Sequence, residues 1–179
     1  MSHLRIYHAS NTRQPYKLLN HFDDIARELA GTGICFSRWQ ADKQLAADAS
    51  GQQILAAYND EIAAFMQQHG HAQADVLSAA VQQGQDCRFM QEHTNCSDVT
   101  SLLVSGRVLL GLRHGEEVYL LLCEKGDLVS VPAGIRHWFD LGDNQRPRLI
   151  RLFNSVQGLL AQPTGSDIAS SYPLLADMS

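Results

Sequence analysis

Residues 126–139 read GDLVSVPAGIRHWF. Gly126 turns the chain into a short Val- and Leu-rich run that reads as a strand. Pro132 has no N–H to give to a ladder and ends that strand. Pro132 and Gly134 together build a tight turn. The next strand then opens with an imidazole, His137, directed inward. Similar segments lie on either side: TSLLVSG at 100–106, RVLLGLR at 107–113, EEVYLLLCE at 116–124, and a last strand from Arg148 to Phe153. Arg113-His114-Gly115-Glu116 reads as a hairpin turn. Short strands so closely spaced predict an antiparallel sandwich or barrel over about residues 86–179.

The first half has a different pattern. From His21 to Ala30, Phe22, Ile25, Ala26 and Leu29 recur at helical spacing, and Gly31 stops the run. Ser50 is placed to cap a longer helix whose stripe is Ile54, Leu55, Tyr58, Ile62, Phe65 and Met66, with Gly70 as its stop. A third helix is expected from Asp75 to about Gln83. Residues 1–85 therefore read as a helical layer against the barrel, within one domain spanning residues 1–179. The formal net charge is −5, and no basic patch interleaved with aromatics points to nucleic acid. No apolar run reaches the roughly 18 residues of a membrane span, and the N-terminus lacks a signal-peptide pattern. The expected location is the cytoplasm. Cys35, Cys87, Cys96 and Cys123 show no C-x-x-C spacing and are expected as thiols. His3, His8, His21, His69, His71 and His114 read as solvated or packing imidazoles.

Residues 126–139 resemble the second cupin motif at each of its spaced positions: Gly126, Pro132, Gly134 and His137. A second stretch, EHTNCSDV at 92–99 followed by Gly106, resembles the first cupin motif in part. His93 and Gly106 hold its opening and closing places. Asn95 stands where the motif has its second His, and Val99 where it has Glu. A closer likeness is carried by FSRWQAD (36–42), FMQEHT (89–94), VYLLLCEKGDLVSVP (118–132), HWFDLG (137–142) and AQPTGSDIASSYP (161–173). These segments are similar to the bacterial acireductone dioxygenase family, and the likeness extends over nearly the whole chain. It implies a mostly β cupin, a jelly-roll barrel or double-stranded β-helix with an N-terminal helical layer.

The resemblance also implies chemistry. In that family three His and one Glu hold iron or nickel, and an enediol substrate chelates the metal and reacts with dioxygen. His93 and His137 match the first and last ligands. Ser101 matches an Arg that steadies the substrate anion, and Leu159 matches a Trp. Phe89 and Phe139 match pocket aromatics. Asp98 and Cys96 are candidates to complete the metal shell beside His93 and His137. Phe89, Asn95, Val99, Ser101 and Phe139 are candidates for the pocket wall. Glu92 and Arg136 are the candidate catalytic side chains: Glu92 to orient an imidazole (or as a surface carboxylate), Arg136 or Arg107 to replace the missing Arg.

The expected function is that of a metal-dependent cupin oxygenase. It acts on a small chelating metabolite, diverged from the methionine-salvage reaction, with dioxygen as co-substrate. One alternative is a metal-free cupin that binds, isomerises or cyclises a small molecule with a histidine base. Another is the salvage dioxygenase itself with an altered ligand set. The only expected partner is a small molecule, with no nucleic acid or membrane, and the chain is expected as a monomer or homodimer.

Overall fold

Strands that alternate strictly have two faces to cover, and most strands of this chain are apolar on both. The computed structural model describes residues 1–78, 90–142 and 146–178. In chain order these form β1 (His3–His8), β2 (Lys17–Leu19), α1 (Phe22–Ala30), β3 (Cys35–Arg38), α2 (Gly51–Ala57), α3 (Asn59–His69) and β4 (Gln73–Ser78). There follow β5 (His93–Thr94), β6 (Val99–Ser105), β7 (Arg107–His114), β8 (Glu117–Glu124), β9 (Asp127–Val131), β10 (His137–Asp140), β11 (Arg148–Phe153), α4 (Val156–Leu159) and β12 (Gln162–Pro163). Two 3₁₀ turns, Ile168–Ser171 and Leu175–Met178, end the chain.

Among the described residues the strands make two antiparallel sheets, ordered β12-β5-β10-β7-β8-β1-β2 and β3-β9-β6-β11-β4. The sheets face each other across a core that includes Leu4, Ile6, Leu103, Leu110, Leu121, Val129 and Leu149. The outer face of the smaller sheet, with Leu102, Val104, Ile150 and Leu152, packs on Trp39, Ile54, Tyr58 and Ile62. The outer face of the larger sheet, with Leu109, Leu120 and Trp138, is covered by Tyr172, Leu175 and Met178 of the C-terminal tail. Both faces of β7 and β8 are therefore apolar, which is why their sequences read as continuous runs.

Three features depart from expectation. Residues 73–78 are a strand: β4 pairs with β11 from Gln73↔Phe153 to Ser78↔Arg148. The expected helix at Asp75 does not form there, and its end at Gln83 lies outside the described residues. Val76 and Ala74 pack on the helical side while Leu77 joins the barrel core; this is a period of two, not 3.6. The first half is also not a purely helical layer, because β1 pairs with β8, β3 with β9 and β4 with β11. The long helix breaks at Tyr58 into α2 and α3. Its start is as read: Ser50 Oγ accepts from the Gln53 N–H, and Gln53 Oε1 accepts from the Ser50 N–H. Gly70 ends α3 in the left-handed conformation.

Candidate active site

Strand parity builds the site. Inward positions on β5 and its extension are His93 and Asn95. On β6 they are Val99 and Ser101, on β10 His137 and Phe139, on β11 Leu149 and Arg151. All eight line one cavity of about 490 Å³, closed on one side by the segment from Val156 to Gln162. The turn before β10 is closed by the Ile135 N–H on the Pro132 carbonyl. Gly134 takes φ +80° there, a conformation that a side chain rarely adopts. The Gly134 N–H donates to the Asn95 carbonyl at 3.0 Å, so the two histidine-bearing segments are tied together at the mouth.

His93 and His137 are direct cross-strand partners, 3% and 2% exposed, with ring centroids 4.4 Å apart. Each ring donates its Nδ1–H to the carbonyl two residues back: His93 to Gln91 at 2.8 Å and His137 to Ile135 at 2.7 Å. A carbonyl can only accept, so the tautomer is fixed and the lone pair of each ring sits on Nε2. Burial lowers the His93 pKa, while burial and then the neighbouring His93 lower that of His137 to about 4. Both rings are thus neutral at pH 7. Phe139 meets the His137 ring edge-on at 5.8 Å.

Two neutral imidazoles on adjacent strands suit a divalent transition metal. The rest of the donor set fits it only in part. The Asn95 Nδ2 donates to the Leu159 and Leu160 carbonyls at 3.0 and 3.2 Å, leaving a neutral amide oxygen, and Val99 has no donor atom. Among the described residues no group of three or more His, Cys, Asp or Glu side chains is arranged to hold a metal ion.

The other candidates fall elsewhere. Asp98 and Cys96 do not line the cavity: Asp98 Oδ1 accepts from the Ala133 N–H at 2.9 Å, and Cys96 Sγ lies 3.7 Å from the Gln157 carbonyl. Both belong to the loop between β5 and β6, flanked by Asn95 and Val99, which do line the cavity. Glu92 does not orient an imidazole, since backbone carbonyls do that. Nor is it a surface carboxylate, being 0% exposed and paired with Arg113 at 2.7 Å. The Arg136 side chain is exposed and does not line the cavity. Arg107 starts β7, five residues before Leu112, the strand partner of His137. Phe89 and Cys87 lie outside the described residues. Sequence reasoning passes over Arg151; its signal was a charge at an inward position of RLIRLF, sharing a face with Leu149.

A jelly roll with an inward-facing histidine pair at one mouth defines a cupin, and comparison with known proteins narrows the class. The ARD/ARD' family matches residues 3–160. The chain is 45% identical to an acireductone dioxygenase of Pseudomonas paraeruginosa and 42% identical to one of Pseudomonas fluorescens, in each case over 99% of this chain and 100% of the relative. A solved structure, acireductone dioxygenase from Bacillus anthracis with a cadmium ion in its active centre, superposes with a TM-score of 0.74. It covers 90% of this chain and 97% of its own, at 24% identity, and shows the shared fold. The chain belongs to the acireductone dioxygenase (ARD/ARD') family, an oxygenase class of enzyme.

Proposed function

We propose that this chain is a metal-dependent cupin dioxygenase whose substrate is a small chelating metabolite other than the enediol of methionine salvage. The observation that carries the reading is the pair of neutral imidazoles, each with Nε2 free, in a cavity where the two remaining ligand places hold Asn95 and Val99. His93 and His137 would hold the ion, iron or nickel, and a substrate with two or more oxygen donors would complete its shell. The bound ion would polarise the substrate and bring dioxygen to it. The chain's own residues do the rest. The Gln91 and Ile135 carbonyls keep both Nε2 atoms unprotonated. Val99, Val131, Leu149 and Phe139 give the cavity an apolar wall. Asn95 pins the covering segment by its carbonyls, closing the cavity over the histidines.

Anaerobic reconstitution with Fe²⁺, Ni²⁺, Mn²⁺ and Co²⁺, followed by elemental analysis, tests the metal. Wild type should retain one of them, and His93→Ala and His137→Ala should not. Retention of none by wild type overturns the proposal. Dioxygen uptake with the salvage enediol tests the divergence: no uptake above the spontaneous rate is expected, and rapid turnover would show the ordinary reaction with an altered ligand set.

One observation favours a second reading, a metal-free isomerase or cyclase. His137 is a buried neutral base with its lone pair on the cavity side. Turnover would then survive EDTA and follow a histidine-like ionisation. Reversible loss of activity on chelation excludes it.

A further inference from the structure

The cavity has an electrostatic anchor on the wall opposite the histidines. Arg151 is on β11 of the smaller sheet, directly across from Ser101 on β6 and Asp75 on β4. It is the only Lys or Arg lining the cavity among the described residues, and its side chain is 23% exposed. Asp75 grips one edge of the guanidinium: Nε donates to Oδ1 at 2.9 Å and Nη2 to Oδ2 at 2.6 Å. Such a fork fixes the plane of the group. The other edge, formed by Nη1 and the second N–H of Nη2, has no protein partner among the described residues. A guanidinium has five N–H donors in a rigid fork, so that edge matches a second carboxylate.

We propose that Arg151, oriented by Asp75, is the anion-binding residue of this cavity, and that the substrate is a small carboxylic acid with an apolar body. The inference rests on the preceding reading only in taking the same cavity as the substrate site. Asp75 decides which anion. It neutralises the arginine, so binding comes from two aimed donors and not from net positive charge. A monoanionic, planar carboxylate suits such an edge. A phosphate dianion would meet the Asp75 charge at close range with no surplus cation to offset it. The apolar body follows from the remaining walls: Leu77, Val99, Val131, Leu149, Leu159 and Leu160. A substrate spanning the cavity would place its carboxylate on Arg151 and its chelating oxygens toward the histidines.

The test uses metal-free full-length protein, so that it does not depend on the metal. Binding of hexanoate, hexanamide and butyl phosphate is followed by NMR titration. Wild type should bind hexanoate at least about tenfold more tightly than hexanamide, as charge-assisted hydrogen bonds allow. Arg151→Gln alone strands Asp75 and risks misfolding, so the double variant Arg151→Gln/Asp75→Asn, which keeps a hydrogen-bonding pair, is the informative one. It should lose the preference for hexanoate over hexanamide. Asp75→Asn should tighten hexanoate several-fold and admit butyl phosphate. Equal binding of hexanoate and hexanamide by wild type, an unchanged preference in the double variant, or tighter wild-type binding of butyl phosphate would each overturn the proposal. A carboxylate preference that depends on Arg151 stands even if the protein retains no metal, and metal retention without that preference would leave only the oxygenase reading.

Discussion

Replacing Arg113 by Met should destabilise the protein by several kcal/mol, and the size of the loss can be bounded from the structure. Glu92 is fully buried. Its Oε1 accepts from Arg113 Nη2 and from the Thr164 hydroxyl, both at 2.7 Å, while Oε2 is buried with no partner among the described residues. The Thr164 N–H also donates to the Glu92 carbonyl at 3.1 Å. Residue 92 thus clamps the C-terminal tail to the barrel, with Arg113, only 24% exposed, as counter-ion. Removing one partner of a buried pair costs about 3–5 kcal/mol. The Thr164 hydroxyl remains as a donor and trims the figure, so the expected loss is about 3 kcal/mol. Arg113→Met/Glu92→Leu, which removes both charges, should come back to within about 1–2 kcal/mol of wild type. The assay is urea unfolding followed by fluorescence of the buried Trp39 and Trp138. A loss below about 1 kcal/mol at pH 7, or a double variant less stable than Arg113→Met, would refute the reasoning.

Gly111 faces Trp138 across β7 and β10, and a Cβ there would overlap the indole; Gly111→Ala should cost about 1–3 kcal/mol in urea unfolding, less in a Trp138→Leu background. In metal-free protein the pKa of His71 is lowered by burial, and that of His137 to about 4. A group held below its unfolded value contributes stability above pH 6.5 that is lost as pH falls through the folded value. Stability should therefore drop between pH 6.5 and 4, by about 3 kcal/mol from His137 alone, and a flat profile over that range would contradict the burial argument. Asp98→Ala removes the acceptor of the Ala133 N–H in the turn before β10 and should cost about 1 kcal/mol with metal content unchanged; lost metal would make Asp98 a ligand after all.

How much could be read in advance follows from the range of the interactions involved. The turn at 132–135 was legible because Pro132 and Gly134 act locally, and so was the Ser50 cap, whose partner Gln53 is three residues away. Strand β4 was not, because QADVLS has the look of either element until β11 pairs with it. Glu92 gave no sign of its burial, since Arg113 and Thr164, 21 and 72 residues distant, are what make the burial tolerable. Arg151 was hidden for the same reason: its meaning lies in Ser101 and Asp75, its neighbours on two other strands. Parity acts only within a strand: it puts Ser101 on the face of Val99 in β6 and Phe139 on that of His137 in β10. Cys96 and Asp98 lie in the loop that joins the two sheets, where no alternation governs them. Their positions follow from contacts far along the chain, Asp98 accepting from the Ala133 N–H and Cys96 lying beside the Gln157 carbonyl, and the cavity carries two imidazoles on one wall. On the opposite wall is a guanidinium already held at one edge by Asp75. On the proposed reading one substrate bridges the two walls, so the carboxylate preference proposed for Arg151 and the metal affinity proposed for the histidines can be measured separately yet should meet in one molecule.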